Sequence, residues 1–467
     1  MNSLKTIIFI FSIVVLLSVE CVYASTTDLF DKSVVTNECV TFIEKIKADY
    51  EYGWITVPRD YDFPEKHKIN IFYYYKKMSR FENPVAFFNG GPQMSSHGVS
   101  VLFESKIIKF DIKEAIDFIY IDQRGTGCSQ YEVLTGVSSD ALNSYKWSTS
   151  LGVVRDAETI RKKLLGESRK WKIFGQSYGA YIVFRYLELF PQSILKAFTH
   201  GYALGTSDMD GSYYRILSQY EVTNKFISFM PDLKEKLETL NTYLSDSEKC
   251  FVTRDQSRAC GYEILTPLVY MLGLRDKWLT LSSIIRDLVP NQNVDENALQ
   301  RYISKSYLTG FPKLNSSYSF DHNFEQSNLT LNFAGMFDWD NTPFDEIKCD
   351  TIYKQLENNG IKKEALIFNE CKPLLQFKYK DTVVSFLKPY LSGLGTRFVD
   401  PKIVKDHIVR FSIPVFSYAG GLDSFIPQYY FVKQKKYFAS LIKHKFFKET
   451  GHDGFYLERQ VYLDLTM

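Results

Sequence analysis

Gly175-Gln176-Ser177-Tyr178-Gly179 sets a serine between two glycines, directly behind the apolar run 172–174 and ahead of a segment with helical spacing. A serine on a sharp strand-to-helix turn exposes its hydroxyl to substrate, and flanking glycines give such a turn the room it needs. The same turn lies at a helix N-terminus, where backbone N–H groups stabilise a developing oxyanion. The other use of such a segment is a glycine-rich turn whose serine merely caps the helix. A serine attacks only once a base has taken its proton, and that base needs an acid to fix its tautomer and stabilise its charge. Thr450-Gly451-His452-Asp453-Gly454 offers His452 as the base, in a polar loop after the apolar run 445–448. Asp423 follows the run 413–418 and lies between Ser177 and His452 in chain order, where the acid belongs. Asp453 is a poorer acid, because a sequence neighbour does not readily turn back onto the ring of His452.

Asn89-Gly90-Gly91-Pro92-Gln93 closes the run 85–88 and comes early enough to supply a second oxyanion amide. The N–H groups of Gly91 and Tyr178 are assigned to the oxyanion hole, with Gly90 as the alternative to Gly91. Asp122-Gln123-Arg124-Gly125-Thr126-Gly127-Cys128-Ser129 ends the run 118–121. Its two close glycines fall short of the dinucleotide-binding fingerprint, and no helix opens directly after them. Structural support is therefore expected of Gly90, Asp122 and Arg124, with Asp122 and Arg124 bracing the loops around the serine.

These segments need a frame. Short apolar runs at 69–75, 85–88, 118–121, 172–174 and 195–198 each end in a polar or glycine-rich turn, the pattern of buried parallel strands joined by crossovers. Helical spacing fills 153–165 and runs from about 182 toward 190, where Pro191 stops it. Between 202 and 402 the pattern changes to longer helical stretches such as 230–243 and 279–288, and strand runs return at 413–418 and 445–448. The expectation is an α/β fold: a mostly parallel sheet flanked by helices, in segments 25–201 and 403–467, with a large, mainly helical cap, 202–402, inserted before the last strands.

Apolar residues make up 45% of the 467-residue chain and charged residues 24%, which excludes a disordered polymer. The balance of 56 basic against 54 acidic residues gives no electrostatic footprint for nucleic acid or an anionic membrane. Residues 1–24 carry one lysine, an apolar run over 7–19 and Val22-Tyr23-Ala24 as a cleavage site, which predicts a cleaved signal peptide and a secreted or periplasmic protein. The apolar run is shorter than the ~20 residues that a membrane anchor needs. Export leaves six cysteines, and short loops favour the disulfides Cys250–Cys260 and Cys349–Cys371, leaving Cys39 for Cys128. Without a C-x-x-C pair, a metal is the weaker use of these cysteines. Asn315-Ser316-Ser317 and Asn328-Leu329-Thr330 are glycosylation sequons in a eukaryotic host.

In order along the chain, these segments resemble the prolyl iminopeptidase and tripeptidyl aminopeptidase family of α/β-hydrolase serine peptidases. Asp122 to Ser129 matches its D-Q-R-G-x-G-x-S segment and Gly175 to Gly179 its G-x-S-[YWF]-G turn; Asp423 and His452 match its late acid and base. The family's H-G-G-P-G loop is altered at both ends, to Asn89 and Gln93. The resemblance covers residues 54–200 and 411–455. It implies a cofactor-free exopeptidase that removes residues from the free N-terminus of peptides, often next to proline, with acidic cap residues holding the amine; Asp208, Asp210 and Glu221 are candidates. The alternatives are a carboxylic ester hydrolase with the same triad and an inactive, hydrolase-like binding protein. Oligomeric state is left open.

Overall fold

The computed structural model describes residues 36–77, 79–91, 94–130, 147–204, 211–246, 248–252, 258–305, 346–362, 366–367, 398–426, 428–452 and 454–467. Its frame is an eight-stranded sheet with strands β1 (Tyr50–Pro58), β2 (Lys68–Lys76), β3 (Val85–Phe88), β4 (Phe118–Ile121), β5 (Trp171–Gln176), β6 (Ile194–His200), β9 (Val415–Gly420) and β10 (Ile442–Phe447). A two-stranded hairpin, β7 (Cys250–Val252) and β8 (Arg258–Cys260), stands apart. The sheet order is β1-β2-β4-β3-β5-β6-β9-β10. β2 runs antiparallel to both neighbours, and every other pairing is parallel.

Every residue of β3 and β4 is buried, which is why both read as unbroken apolar runs. The sheet's two faces carry different side chains. Ile69, Ile71 and Tyr73 of β2 turn to one face, packing with Ala86, Phe88 and Ile173 against α3 (Ser150–Leu165), α4 (Tyr178–Leu189) and α11 (Pro401–Phe411). Phe72 and Tyr74 turn to the other, where Phe87, Phe118, Tyr120, Phe174, Phe198, Phe416 and Tyr418 build an aromatic layer. That layer meets Phe42 of α1 (Asn37–Ile46), Phe103 of α2 (Val99–Lys109), Phe455 of α13 (Gly454–Leu457) and Tyr462 of α14 (Arg459–Thr466). Much of the chain's large aromatic content is therefore sheet core, held by edge-to-face and offset ring pairs.

Between β6 and β9 lie α5 (Gly211–Phe229), α6 (Lys234–Tyr243), the β7–β8 hairpin, α7 (Thr266–Leu272), α8 (Trp278–Leu288), α9 (Glu296–Lys305) and α10 (Glu346–Asn358). Phe226, Leu237, Leu240, Leu268, Trp278, Leu281, Ile285 and Leu299 form a separate core there. The helical stretch expected at 230–243 opens with a 3-10 turn at Pro231–Leu233 that runs directly into α6, and Pro231, which has no N–H to donate, separates it from α5. The expected boundary after residue 402 falls inside α11, which starts at Pro401 behind Asp400; the Asp400 carboxylate accepts from the Lys402 N–H. α12 (Gln428–Phe438) joins β9 to β10.

Disulfides join Cys39 to Cys128 and Cys250 to Cys260. The first ties α1 to the loop after β4 across 89 positions; the second closes the β7–β8 hairpin. Cys349 lies in α10, whereas Cys371 is outside the described residues, as are residues 1–24 and both sequons. Among the described residues no helix is long and apolar enough to cross a membrane.

Candidate active site

Ser177 sits between β5 and α4 with φ 56° and ψ −122°, a backbone conformation that a residue with a side chain rarely adopts. Such strain persists only where its surroundings impose it. Here the Ser177 N–H donates to the His200 carbonyl at 2.7 Å, and its own carbonyl accepts from Ala180 at 2.8 Å. The flanking glycines are dictated by contact. A Cβ at Gly175 would lie 2.0 Å from the Gly179 carbonyl oxygen, and one at Gly179 would lie 2.0 Å from that of Phe88. The turn is thus pressed flat between the end of β3 and the start of α4.

His452 and Asp423 stand on the loops after β10 and β9. His452 Nδ1 and Asp423 Oδ2 are 2.7 Å apart, both residues buried. The other carboxylate oxygen, Oδ1, accepts from the N–H groups of Phe425 and Ile426, each at 2.9 Å. Main-chain bonds from Gly421 to Phe447 and from Leu422 to Thr450 lace the two loops together. A Cβ at Gly201 would lie 2.9 Å from His452 Cε1 and 3.7 Å from the Ser177 nitrogen, so one glycine touches both. Gln176 adds a bond from Nε2 to the His452 carbonyl at 3.1 Å. The intervening helical segment also reaches the site: Gly273 O accepts from the His452 N–H at 3.1 Å, and Ser218 Oγ donates to the Asp423 carbonyl at 2.8 Å.

The loop after β3 lies against the serine, with the Gly90 Cβ position 3.1 Å from Ser177 Cβ. The Gly90 N–H donates to Asn89 Oδ1 at 2.8 Å, which commits it within the loop and leaves Gly91 as the amide of interest. Gly91 adopts φ 109°, a conformation open to glycine and rare otherwise. Tyr178 opens α4, so its N–H belongs to the first turn, which intrahelical bonding does not use.

Asp122 Oδ1 accepts from the Ser96 N–H and Oγ, each at 2.7 Å, and Oδ2 accepts from the Cys128 N–H at 2.9 Å. Arg124 forks onto both oxygens of Asp156 at 2.6 and 2.7 Å and donates to the carbonyls of Pro58, Arg59 and Trp147. His97, Asp122 and Cys128 come within metal-binding distance of one another, but the Cys128 sulfur is spent in the disulfide with Cys39. Glu221 lies exposed on α5, lining a groove with Tyr214, Leu217 and Tyr429 that reaches Asp423; Ser177 does not line it. Asp208, Asp210, Gln93 and Asp453 lie outside the described residues.

His200 is a neighbour that the sequence did not single out, since a lone histidine ending an apolar strand carries no spacing signal. Loss of water, then the adjacent His452, holds its imidazole well below the ordinary 6.5. The folded protein keeps His200 neutral, while the unfolded chain protonates it at the ordinary value. Below about pH 6.5 the unfolded state binds more protons, so this residue lowers stability by up to about 1.4 kcal/mol per pH unit of acidification. His200→Leu is expected to flatten the fall in melting temperature between about pH 7 and about pH 5. An unchanged slope would contradict a neutral, buried His200.

A sequence profile of the alpha/beta hydrolase fold matches residues 83–214. A proline iminopeptidase of Aeromonas sobria is 34% identical over 90 residues, 18% of this chain and 20% of that protein. One from Aspergillus aculeatus is 25% identical over 126 residues, 25% of this chain and 27% of that protein. The chain thus matches about a quarter or less of these relatives' lengths. The crystal structure of the Mycobacterium smegmatis proline iminopeptidase overlays 89% of this chain and 97% of its own, at 13% identity and a TM-score of 0.39. Sheet order and profile together give the chain the α/β-hydrolase fold, and over the matched stretches its sequence is similar to proline iminopeptidases.

Proposed function

We propose that the chain is a secreted serine aminopeptidase that cleaves amide bonds near the free N-terminus of peptides, next to proline, through an acyl-enzyme. The observation that carries the proposal is the strained Ser177 turn beside a buried His452–Asp423 pair at 2.7 Å. With Nδ1 facing Asp423, the proton on His452 sits at Nδ1 and Nε2 is left as the base. Ser177 Oγ attacks the carbonyl carbon, its proton passes to His452 Nε2, and the oxyanion forms toward the N–H groups of Gly91 and Tyr178. The imidazolium then protonates the departing amine as the C–N bond breaks. Water, deprotonated by the same nitrogen, hydrolyses the ester and restores Ser177. Support for an exported setting comes from the two disulfides, which persist in oxidising compartments. Support for a peptidase comes from the two curated relatives, both proline iminopeptidases. Glu221, Asp208 and Asp210 are proposed to receive the substrate amine.

The test is turnover of proline and short-peptide aryl amides by the purified protein, with the amine free or acetylated. The proposal expects cleavage with a free amine and its loss on acetylation. Turnover of aryl esters without amides would contradict it in favour of an ester hydrolase.

A further inference from the structure

Gln123 lies between the two residues assigned to bracing, and its side chain is buried. Its Nε2 donates to the Asn89 carbonyl at 2.9 Å and to the Gly90 carbonyl at 3.3 Å. One amide NH2 thus reaches two consecutive carbonyls of the loop beside Ser177. A trans peptide unit is planar, with its C=O and N–H pointing opposite ways. The Asn89 carbonyl shares a plane with the Gly90 N–H, and the Gly90 carbonyl with the Gly91 N–H. Pinning the two oxygens therefore sets the direction of both N–H groups. The first goes to Asn89 Oδ1. The second is the amide assigned to the oxyanion.

This pin sits where the backbone is softest. Two consecutive glycines leave the Gly90–Gly91 plane free to flip, and a flip would turn a carbonyl oxygen toward the developing anion. Among the described residues, two further bonds on this loop hold different points: Asn89 Nδ2 donates to the Ser95 carbonyl at 2.6 Å, and Asp122 Oδ1 accepts from the Ser96 N–H. Neither restrains the Gly90–Gly91 plane. Donation into the Gly90 carbonyl also polarises that amide, which strengthens its N–H as a donor.

We propose that Gln123 is a positioning residue for transition-state stabilisation: it fixes the Gly90–Gly91 peptide so that the Gly91 N–H faces the oxyanion formed at Ser177. This rests on the serine-hydrolase reading of the site and adds to it a residue that never touches substrate. A residue acting this way alters the transition state and leaves ground-state binding alone.

The experiment compares the full wild-type chain with Gln123→Met, which keeps length and removes the donor, and Gln123→Glu, which keeps shape and faces two carbonyls with a charge. Each is assayed on the acyl substrate that the wild type turns over fastest. Each is also titrated with a trifluoromethyl ketone that forms a tetrahedral adduct and with a non-reactive product amine or acid. For Gln123→Met, kcat is expected to fall about 10- to 100-fold, part of the loss seen when an oxyanion donor is removed outright, with KM within about threefold. Ketone affinity should fall in proportion, product affinity should hold, and Gln123→Glu should lose more than Gln123→Met. The proposal is overturned if kcat and ketone affinity stay within about threefold of wild type, if only KM and product affinity change, or if neither variant folds by circular dichroism. Failure of the underlying reading looks different, because the wild type would then show neither turnover nor phosphonylation of Ser177.

Discussion

Ser177→Ala is expected to lower kcat/KM by about four orders of magnitude or more while the protein stays folded, as measured by turnover and thermal melting on the same sample. The substitution removes one oxygen and keeps the Cβ, so the positive-φ conformation of the turn is as strained in the variant as in the wild type. The Ser177 side chain makes no capping bond to α4, so helix stability does not depend on the hydroxyl. The main-chain bonds of residue 177 to His200 and Ala180 survive the change. Loss of activity with an unshifted melting curve assigns the hydroxyl to chemistry. A drop of less than about tenfold would contradict Ser177 as the nucleophile.

Asp423→Asn is expected to cost about 10³- to 10⁴-fold in kcat near neutral pH, with little change in KM. The environment dictates which way the new amide points. Oδ1 accepts two main-chain N–H groups, from Phe425 and Ile426, and only an oxygen satisfies both. The amide nitrogen is thereby forced into the Oδ2 position, 2.7 Å from His452 Nδ1. Nδ1 must then accept, the ring proton moves to Nε2, and the nitrogen that should deprotonate Ser177 is blocked. Asp423→Ala removes the wrong donor along with the carboxylate, so it should be no worse than Asp423→Asn despite being the larger deletion. The ratio of the two variants' kcat values checks this ordering.

The strands that read clearly from the sequence are those buried on both faces. Val-Ala-Phe-Phe at Val85–Phe88 and Phe-Ile-Tyr-Ile at Phe118–Ile121 were legible to the residue because no polar side chain interrupts them. β1 was missed, for the opposite reason. Tyr50–Pro58 is an edge strand with exposed and half-buried positions and an internal Gly53, so its pairing with β2, not its own pattern, makes it a strand. The β7–β8 hairpin has three residues per strand, too few for any periodicity, and the Cys250–Cys260 spacing was its only signal. Ser177, Asp423 and His452 were legible because chain order and strand-end position restrict where they can lie. Gln123 and His200 were not. Their positions depend on which loops the sheet order brings together, with β3 lying between β4 and β5 and with β5 beside β6, and local sequence does not carry that. Asn89 shows a third case: its departure from the resembling family's histidine is plain, but its use, holding the Gly90 N–H and the Ser95 carbonyl, emerges only from the folded loop.

The claim that Ser177 is an activated nucleophile is tested most directly by covalent labelling. The purified protein is incubated with a fluorophosphonate, digested with trypsin and mapped by mass spectrometry. The account predicts one adduct, on the peptide spanning residues 173–185 and located at Ser177. It should be absent in Ser177→Ala and strongly slowed in Asp423→Asn. A folded wild-type protein with no adduct at Ser177, or one labelled there as fast after Asp423→Asn as before, would contradict it.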